Sequence, residues 1–474
     1  MMRMKNKIGL LHRSFRQVIL ITITASGLLM STTVRAELPT AQQISSKMKL
    51  GWNLGNVLEA TWVPRNSFGG TTQRTIDSVK AAGFNTVRLP VAWFYHSDTI
   101  TNVIDVAWLA NVKKVLDYCI KDSMYVVMNN HWDTGWLDDH INVNDSAKVN
   151  ARQRAHWTQI ANYFKAYNDH LLFASANEPP AKDANQMSIL LSYHQTFINA
   201  VRATGGNNSS RTLVVQGPST DVDLTYKLMN TMPKDQIANH LIVEVHYYTP
   251  WNFCGLNGDA SWGKMFYYWG KGNHSTTDAT RNATWGEESD MDKYLGQMKT
   301  KFVDKGIPVI IGEYGAFRRD LSSVSPPSDQ ALHNASIKSY YSYFVKSAMN
   351  KGIITYCWDT GGIFNFSTGK TNDIDVLSAI KQGAKDATTG TQVLKYDDIE
   401  LYPDPFTTTL NLKIDNPDDI DRITVFDMMG RQVETVGHSA INSSLTLGSS
   451  LKPNMYIVQI TGKDWTKTVK VIKK

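Results

Sequence analysis

Short apolar runs and longer amphipathic stretches alternate along residues 47 to about 385. Eight runs, Leu50–Leu54, Thr86–Leu89, Tyr125–Met128, Leu171–Ala174, Thr212–Val215, Leu241–Val245, Val309–Ile311 and Ile353–Tyr356, have the length and composition of strands buried on both faces. Between them, Thr72–Ala82, Val106–Lys121, Gln153–Tyr167, Tyr193–Ala203, Tyr294–Lys305 and Asn334–Asn350 repeat apolar residues at helical spacing. Eight strand-then-helix units predict an α/β fold of the (β/α)8 barrel type, a closed parallel sheet wrapped by helices. No Gly-x-Gly-x-x-Gly turn follows the first run, which argues against an open dinucleotide-binding sheet.

The sixth unit is overlong. Residues 247–288 carry Trp251, Phe253, Trp262, Phe266, Tyr267, Tyr268, Trp269 and Trp285, too aromatic a set for a disordered loop. They predict a cleft wall, with about half of the rings spent on a small core of its own. After Lys385 the pattern changes. Residues 386–397 read as a polar linker, and Leu410–Ile414, Arg422–Phe426, Gln432–Thr435, Leu445–Leu447, Met455–Ile460 and Thr466–Ile472 alternate as short strands. The expected plan is a barrel over 37–385, the linker, and a small all-β, immunoglobulin-like sandwich over 398–474.

Charge alters the picture only at the start. Residues 1–36 combine a basic opening, an apolar stretch from Val18 to Met30 and small residues near Ala36, the make-up of a signal peptide cut after Ala36. The chain's 49 basic residues fall to 43, against 43 acidic ones, once the six in that segment are set aside. A near-neutral exported protein has no electrostatic case for nucleic acid or anionic membranes, and the mature chain contains no membrane-spanning run. Cys119, Cys254 and Cys357 match neither a disulfide framework nor a zinc site. Asp138-Asp139 and Asp221-x-Asp223 read as loop acids, so neither metal nor organic cofactor is expected, and no assembly element argues against a monomer.

The chemistry gathers at strand ends. Glu178 follows the fourth run in Asn177-Glu178-Pro179, and Glu313 follows the seventh in Gly312-Glu313-Tyr314-Gly315. The C-terminal rim of a parallel barrel is where reactive groups sit. Two carboxyl groups from different strands can protonate a glycosidic oxygen and attack the sugar from its opposite face. Arg88 closes the second run and can hold one carboxyl ionised, while His246 and Tyr248 follow the sixth and offer proton-managing donors. His131 ends the third run, Asn177 precedes the first glutamate, and Trp358 ends the eighth with a flat face for a sugar ring.

Six ordered motifs, Gly51-Trp52-Asn53-Leu54-Gly55-Asn56, Val87-Arg88-Leu89-Pro90, Asn129-Asn130-His131-Trp132, Ala176-Asn177-Glu178-Pro179, His246-Tyr247-Tyr248 and Ile311-Gly312-Glu313-Tyr314-Gly315, resemble glycoside hydrolase family 5, the retaining cellulase-type barrels. The resemblance implies Glu178 as acid/base and Glu313 as nucleophile. It places Arg88 beside Glu313, His246 and Tyr248 around the pair, His131 and Asn177 on the reacting sugar, and Trp358 beneath it. Many members have a second histidine where this chain has Trp132, which suits stacking in a neighbouring subsite.

The C-terminal segment resembles the type A sorting domain of the type IX secretion system. Tyr402-Pro403-Asp404-Pro405-Phe406, Val425-Phe426-Asp427-Met428-Met429-Gly430-Arg431 and Leu451-Lys452-Pro453-Asn454-Met455-Tyr456 carry the likeness. Asp404 replaces the usual Asn, and Asn454 the usual Gly. A carbohydrate-binding module is the weaker alternative, since residues 400–474 hold only Tyr402, Phe406, Phe426, Tyr456 and Trp465 as aromatic rings.

The resulting expectation is a secreted or cell-surface retaining endo-β-1,4-glucanase of cellulase type, with Trp62, Trp93, Trp132, Trp136 and Trp251 as stacking platforms. The same chemistry on β-mannan, xyloglucan or mixed-linkage β-glucan is the alternative. A non-catalytic polysaccharide-binding protein is the alternative of another class.

Overall fold

The computed structural model describes residues 38–474 except 62–69, 321, 324, 390–391, 397–398, 415–416 and 463–465. The expected signal peptide, Trp62 and Trp465 lie outside the described residues. Eight parallel strands close into a barrel in chain order: β1 Leu50–Asn53, β2 Thr86–Leu89, β3 Tyr125–Asn129, β4 Leu171–Ala174, β5 Leu213–Gln216, β6 Leu241–Tyr247, β7 Val309–Tyr314 and β8 Ile354–Cys357, with β8 pairing back onto β1. Among the described residues, no helix is long and apolar enough to cross a membrane.

Alternation along each strand divides the core. Val127, Leu172, Ala174, Val214, Ile242, Ile310 and Ile354 form one apolar cluster, whereas Val126, Leu171, Phe173, Leu213, Val243, Val309 and Ile311 belong to the larger cluster that includes the helices. Residues two positions further along the first register change character. Arg88, Gln216 and Glu244, all fully buried, follow Thr86, Val214 and Ile242. A polar layer therefore sits on an apolar floor at the C-terminal end of the barrel.

Several helices begin earlier than the stretches expected from the sequence. The third wrapping helix runs Val143–Tyr163, the next Ala184–Ala203 and another Gln330–Asn350. Each starts at a side-chain cap: Asn142 accepts from Asp145 N, Asp183 from Gln186 N and Asp329 from Leu332 N. After Asn142 and Asp329 the first turn is too polar to show in hydrophobic periodicity, whereas after Asp183 the buried Met187 and Leu190 already mark the apolar face. In the 247–288 segment, Phe253, Phe266, Tyr267, Tyr268 and Trp269 are buried, while Trp251, Trp262 and Trp285 are exposed.

Residues expected to form a linker are largely structured. A helix continues through Ile374–Thr389, and β9 Gln392–Tyr396 pairs antiparallel with β10 Ile399–Asp404. The small polar residues that suggested a linker end a helix and precede a strand. β11 Leu410–Ile414, β12 Ile420–Asp427, β13 Gln432–Gly437, β14 Ser444–Leu447, β15 Asn454–Gly462 and β16 Thr466–Lys473 complete two four-stranded sheets, ordered β14-β11-β10-β9 and β13-β12-β15-β16. Both sheets feed one core, with Leu410, Leu412 and Ile414 from one and Ile423, Val458 and Val471 from the other. Phe406 and Tyr456 are buried in that region, so they present no ring surface for a sugar.

One carboxylate ties β1 to the loop after β8. Asp359 Oδ2 accepts from Trp52 Nε1 at 2.9 Å and Phe364 N at 3.0 Å, and Oδ1 accepts from Gly361 N and Ile363 N, each at 2.9 Å. Replacing it by alanine strands four donors, an expected loss of about 3 kcal/mol in urea unfolding. Because Trp358 is its chain neighbour, KM for polysaccharide should rise as well. A loss below about 1 kcal/mol, within the range of ordinary surface changes, would show that the loop does not depend on this carboxylate.

Candidate active site

Glu313 reaches the barrel mouth through an irregularity. β6 and β7 pair Glu244 with Ile310 and Val245 with Ile311, but His246 then pairs with Glu313, so Gly312 is an extra residue. Strict alternation from inward-facing Ile310 would send residue 313 outward toward the helices. The bulge reverses this and aims Glu313 inward.

Arg88 is the hub. Its guanidinium is fully buried: Nη1 donates to Glu313 Oε1 at 2.8 Å and to Asn53 Oδ1 at 3.1 Å, and Nη2 donates to Asn177 Oδ1 at 2.8 Å. Its Nε forms an ion pair with Glu244 Oε1, also at 2.8 Å. Tyr248 donates to the other oxygen of Glu313 at 3.0 Å. His246 bridges the remaining groups, with Nδ1 2.7 Å from Glu178 Oε1 and Nε2 3.3 Å from Glu244 Oε1. One carboxylate oxygen from Glu178, one from Glu313 and a ring nitrogen of His246 all lie within 4.8 Å of one another. Two carboxyl groups about 5–5.5 Å apart have the spacing of direct attack, whereas water-mediated attack needs a wider gap.

The environments differ. The Glu313 side chain is 8 % exposed, whereas the Glu178 side chain is 46 % exposed toward the cleft. Burial lowers the proton affinity of His246, but the charges of Glu313 and Glu178 and the contacts to Glu178 and Glu244 overcome it and push the imidazole up to about 9. Burial pushes Glu313 up against the pull of His246 and Arg88. At Glu178 the desolvating walls are outweighed by the His246 hydrogen bond and the charges of His246 and Arg88, leaving it below the ordinary value. The carboxyls are coupled, so their titration steps belong to the pair. His246, with its raised pKa, can therefore hold a proton 2.7 Å from Glu178 Oε1. With Arg88 and an imidazolium already neutralising these carboxylates, the triad is a poor cation site despite its spacing.

Two cavities of about 400 Å³ each meet at Glu178. One is lined by His131, Trp132, Asn177 and Trp358, the other by Tyr248, Trp251, Trp285 and Tyr294. The His131 and Trp358 rings stack with centroids 6.0 Å apart. Desolvation and the charges of Arg88 and His246 hold His131 well below its ordinary pKa, so it is a neutral hydrogen-bonding group. A Cβ on Gly55 would lie 2.8 Å from the Trp358 ring, which explains the glycine in the first motif.

All eight sequence-expected residues, Arg88, His131, Asn177, Glu178, His246, Tyr248, Glu313 and Trp358, converge at this mouth. Among the proposed stacking platforms, Trp132 and Trp251 are about half exposed, but Trp93 and Trp136 are buried and serve packing. Asp138 was read as a loop acid. It is buried in the cleft wall, where burial and the Glu178 charge raise it well above the usual range. Sequence reasoning also missed Asn53, Gln216, Glu244 and Glu59, the last pushed by burial to about 7. For Asn53, Gln216 and Glu244 the available signal was a polar residue on an otherwise apolar strand, whereas Glu59 lies in the loop after β1 and carried none.

Such a barrel mouth, with paired carboxyls under an open aromatic cleft, defines a glycosidase. Residues 45–362 match the cellulase family, glycosyl hydrolase family 5, and the chain belongs to that family. It is a glycosidase acting on β-1,4-glucan-type polysaccharides. Residues 400–474 match the secretion system C-terminal sorting domain, marking the protein as cargo of the type IX secretion machinery, exported or displayed at the cell surface. A xyloglucan-specific endo-β-1,4-glucanase of Bacteroides ovatus is 34 % identical over 371 residues, 73 % of this chain and 70 % of that protein. The crystal structure of a xyloglucan-specific β-1,4-glucanase from a ruminal metagenomic library is 40 % identical, with a TM-score of 0.68 over 76 % of this chain and 99 % of that one. A GH5-4 broad-specificity endoglucanase from Bacteroides salanitronis is 32 % identical, with a TM-score of 0.64 over 74 % and 96 % of the two chains.

The histidine makes a pH-dependent stability prediction. Its folded pKa of about 9 lies above the ordinary 6.5, so the stabilisation is complete below pH 6.5 and is lost as pH rises through 9. The full effect is on the order of 3 kcal/mol. Urea unfolding of wild type from pH 6 to 10 should show this decline, and His246→Asn should flatten it. Parallel curves for the two proteins would contradict the placement of the charge.

Proposed function

We propose that the protein is a retaining endo-β-1,4-glucanase whose preferred substrate is xyloglucan or a similarly decorated glucan, rather than plain cellulose. The observation that carries the reaction is the approach of Glu178 and Glu313 within 4.8 Å, with Arg88 and Tyr248 both donating to Glu313. Glu178 gives its proton to the glycosidic oxygen while Glu313 attacks the anomeric carbon. The C–O bond to the leaving chain breaks as the glycosyl–enzyme ester forms. Glu178, now a base, takes a proton from water, which displaces Glu313 and restores the original anomeric configuration. Covering Glu178 with substrate removes its water and favours its neutral form, drawing the proton from His246.

Internal cleavage is supported by the cavities on both sides of Glu178, and the exposed rings of Trp132, Trp251 and Trp285 suit successive sugars. The substrate preference is supported by the two xyloglucan-specific relatives, which favour this alternative over the cellulase-type expectation. The C-terminal sheets fit a type A, immunoglobulin-like sorting module.

Assays of purified protein on xyloglucan, mixed-linkage β-glucan, carboxymethyl cellulose and mannan test the reading. The expected kcat/KM is highest on xyloglucan, with oligosaccharides released from internal positions. Glu178→Gln and Glu313→Gln should each lose about 10³-fold or more in kcat on xyloglucan while retaining the wild-type fold. Faster turnover of carboxymethyl cellulose than xyloglucan would overturn the substrate assignment. Near-wild-type activity of either folded variant would overturn the mechanism.

A further inference from the structure

Glu244 lines neither cavity, and its side chain is wholly excluded from solvent. Its Oε1 lies 2.8 Å from Arg88 Nε and 3.3 Å from His246 Nε2, while Oε2 accepts from Gln216 Nε2 at 2.5 Å. The bulge makes room for it: a Cβ on Gly312 would stand 1.9 Å from Oε1 and 2.7 Å from the carboxyl carbon. A buried charge is costly unless something compensates it, and an apolar side chain would fill the barrel at lower cost. Glu244 is held instead against the inner nitrogens of the two cations whose outer nitrogens face Glu178 and Glu313.

A charge count gives it a task. Glu178 and His246 share one proton across 2.7 Å, so the pair is neutral whichever of them holds it, and Arg88 offsets Glu313. Glu244 adds one net negative charge beneath the pair and raises its affinity for that proton. Without Glu244 the shared proton leaves at lower pH, and Glu178 loses its supply. Of the other groups facing this cluster, His131 after β3 is uncharged, Tyr248 and Tyr356 are phenols raised well above their ordinary value, and Asp138 is held toward its protonated form, while Glu59, pushed to about 7, faces Glu313 alike in wild type and in every Glu244 variant.

We propose that Glu244 is a positioning residue for the glycosidase reaction: from beneath the site it fixes Arg88 and His246 and supplies the counter-charge that leaves a proton available at Glu178. The inference rests on Glu178 being the acid.

The test is the pH profile of kcat/KM on xyloglucan for Glu244→Gln and Glu244→Asp. Removing the negative charge weakens proton retention, so the basic limb of Glu244→Gln should move down by about one to two pH units. Glu244→Asp, which keeps a charge, should shift less. A purely structural role would lower the melting temperature and kcat with the limb unmoved, and that result overturns the proposal. Gly312→Ala supplies a second route should Glu244→Gln not fold, because the added methyl displaces the carboxylate. Its basic limb should fall too, and an unmoved limb counts against the proposal. An aryl cellobioside whose leaving group departs unprotonated separates this from the assignment of Glu178. Wild type should show no basic limb on it, and a limb that persists overturns Glu178 as the acid while leaving the Glu244 shift to be judged on its own profile.

Discussion

A guanidinium with no access to water needs compensating anions, and the site is organised around that requirement. Arg88 is fully buried at the end of β2, between Glu313 and Glu244, with Asn53 and Asn177 taking its remaining directed bonds. Each partner comes from a different part of the barrel, so the charge couples β1, β2, β6, β7 and the loop after β4. Removing one member of such a set leaves an uncompensated ion, typically a penalty of about 3–5 kcal/mol. The same constraint that costs the barrel apolar packing holds Glu313 in one orientation.

The fold converts this into chemistry through contrast. An apolar floor of Val127, Leu172, Val214, Ile242 and Ile310 lies under the polar layer, and the cleft opens above it. Glu313 sits at the lower, drier level and Glu178 at the exposed one, joined by a histidine that touches Glu178 and Glu244 with its two nitrogens. Substrate binding changes the solvation of Glu178 more than that of Glu313. The asymmetry gives two similar carboxyls different parts in one reaction.

Much of this was legible from residues alone because buried parallel strands are short apolar runs whose ends stand out. Arg88, Glu178, His246 and Glu313 were found by that signal. It failed where the polar group lies inside the run: Glu244 looks like an interruption of a strand, and Gln216, just past the fifth run, carries no charge to draw notice, yet both form the support of the site. The Gly312 bulge was hidden as well, since one extra residue leaves the run's composition unchanged while reversing the direction of Glu313. Trp93 and Trp136 misled because a tryptophan reads the same whether it packs or stacks. Substrate choice depends on which loop atoms reach the sugar decorations, and the rings of Trp132 and Trp251 do not encode that.

The central claim is that Glu313, held by Arg88 and Tyr248 within reach of Glu178, becomes covalently attached to the sugar. A 2-deoxy-2-fluoro aryl cellobioside slows release of such an intermediate and lets it accumulate. Intact mass should rise by one fluoroglycosyl group, and peptide mapping should place it on Glu313. A label on Glu178, or no label together with products of inverted anomeric configuration, would contradict the account.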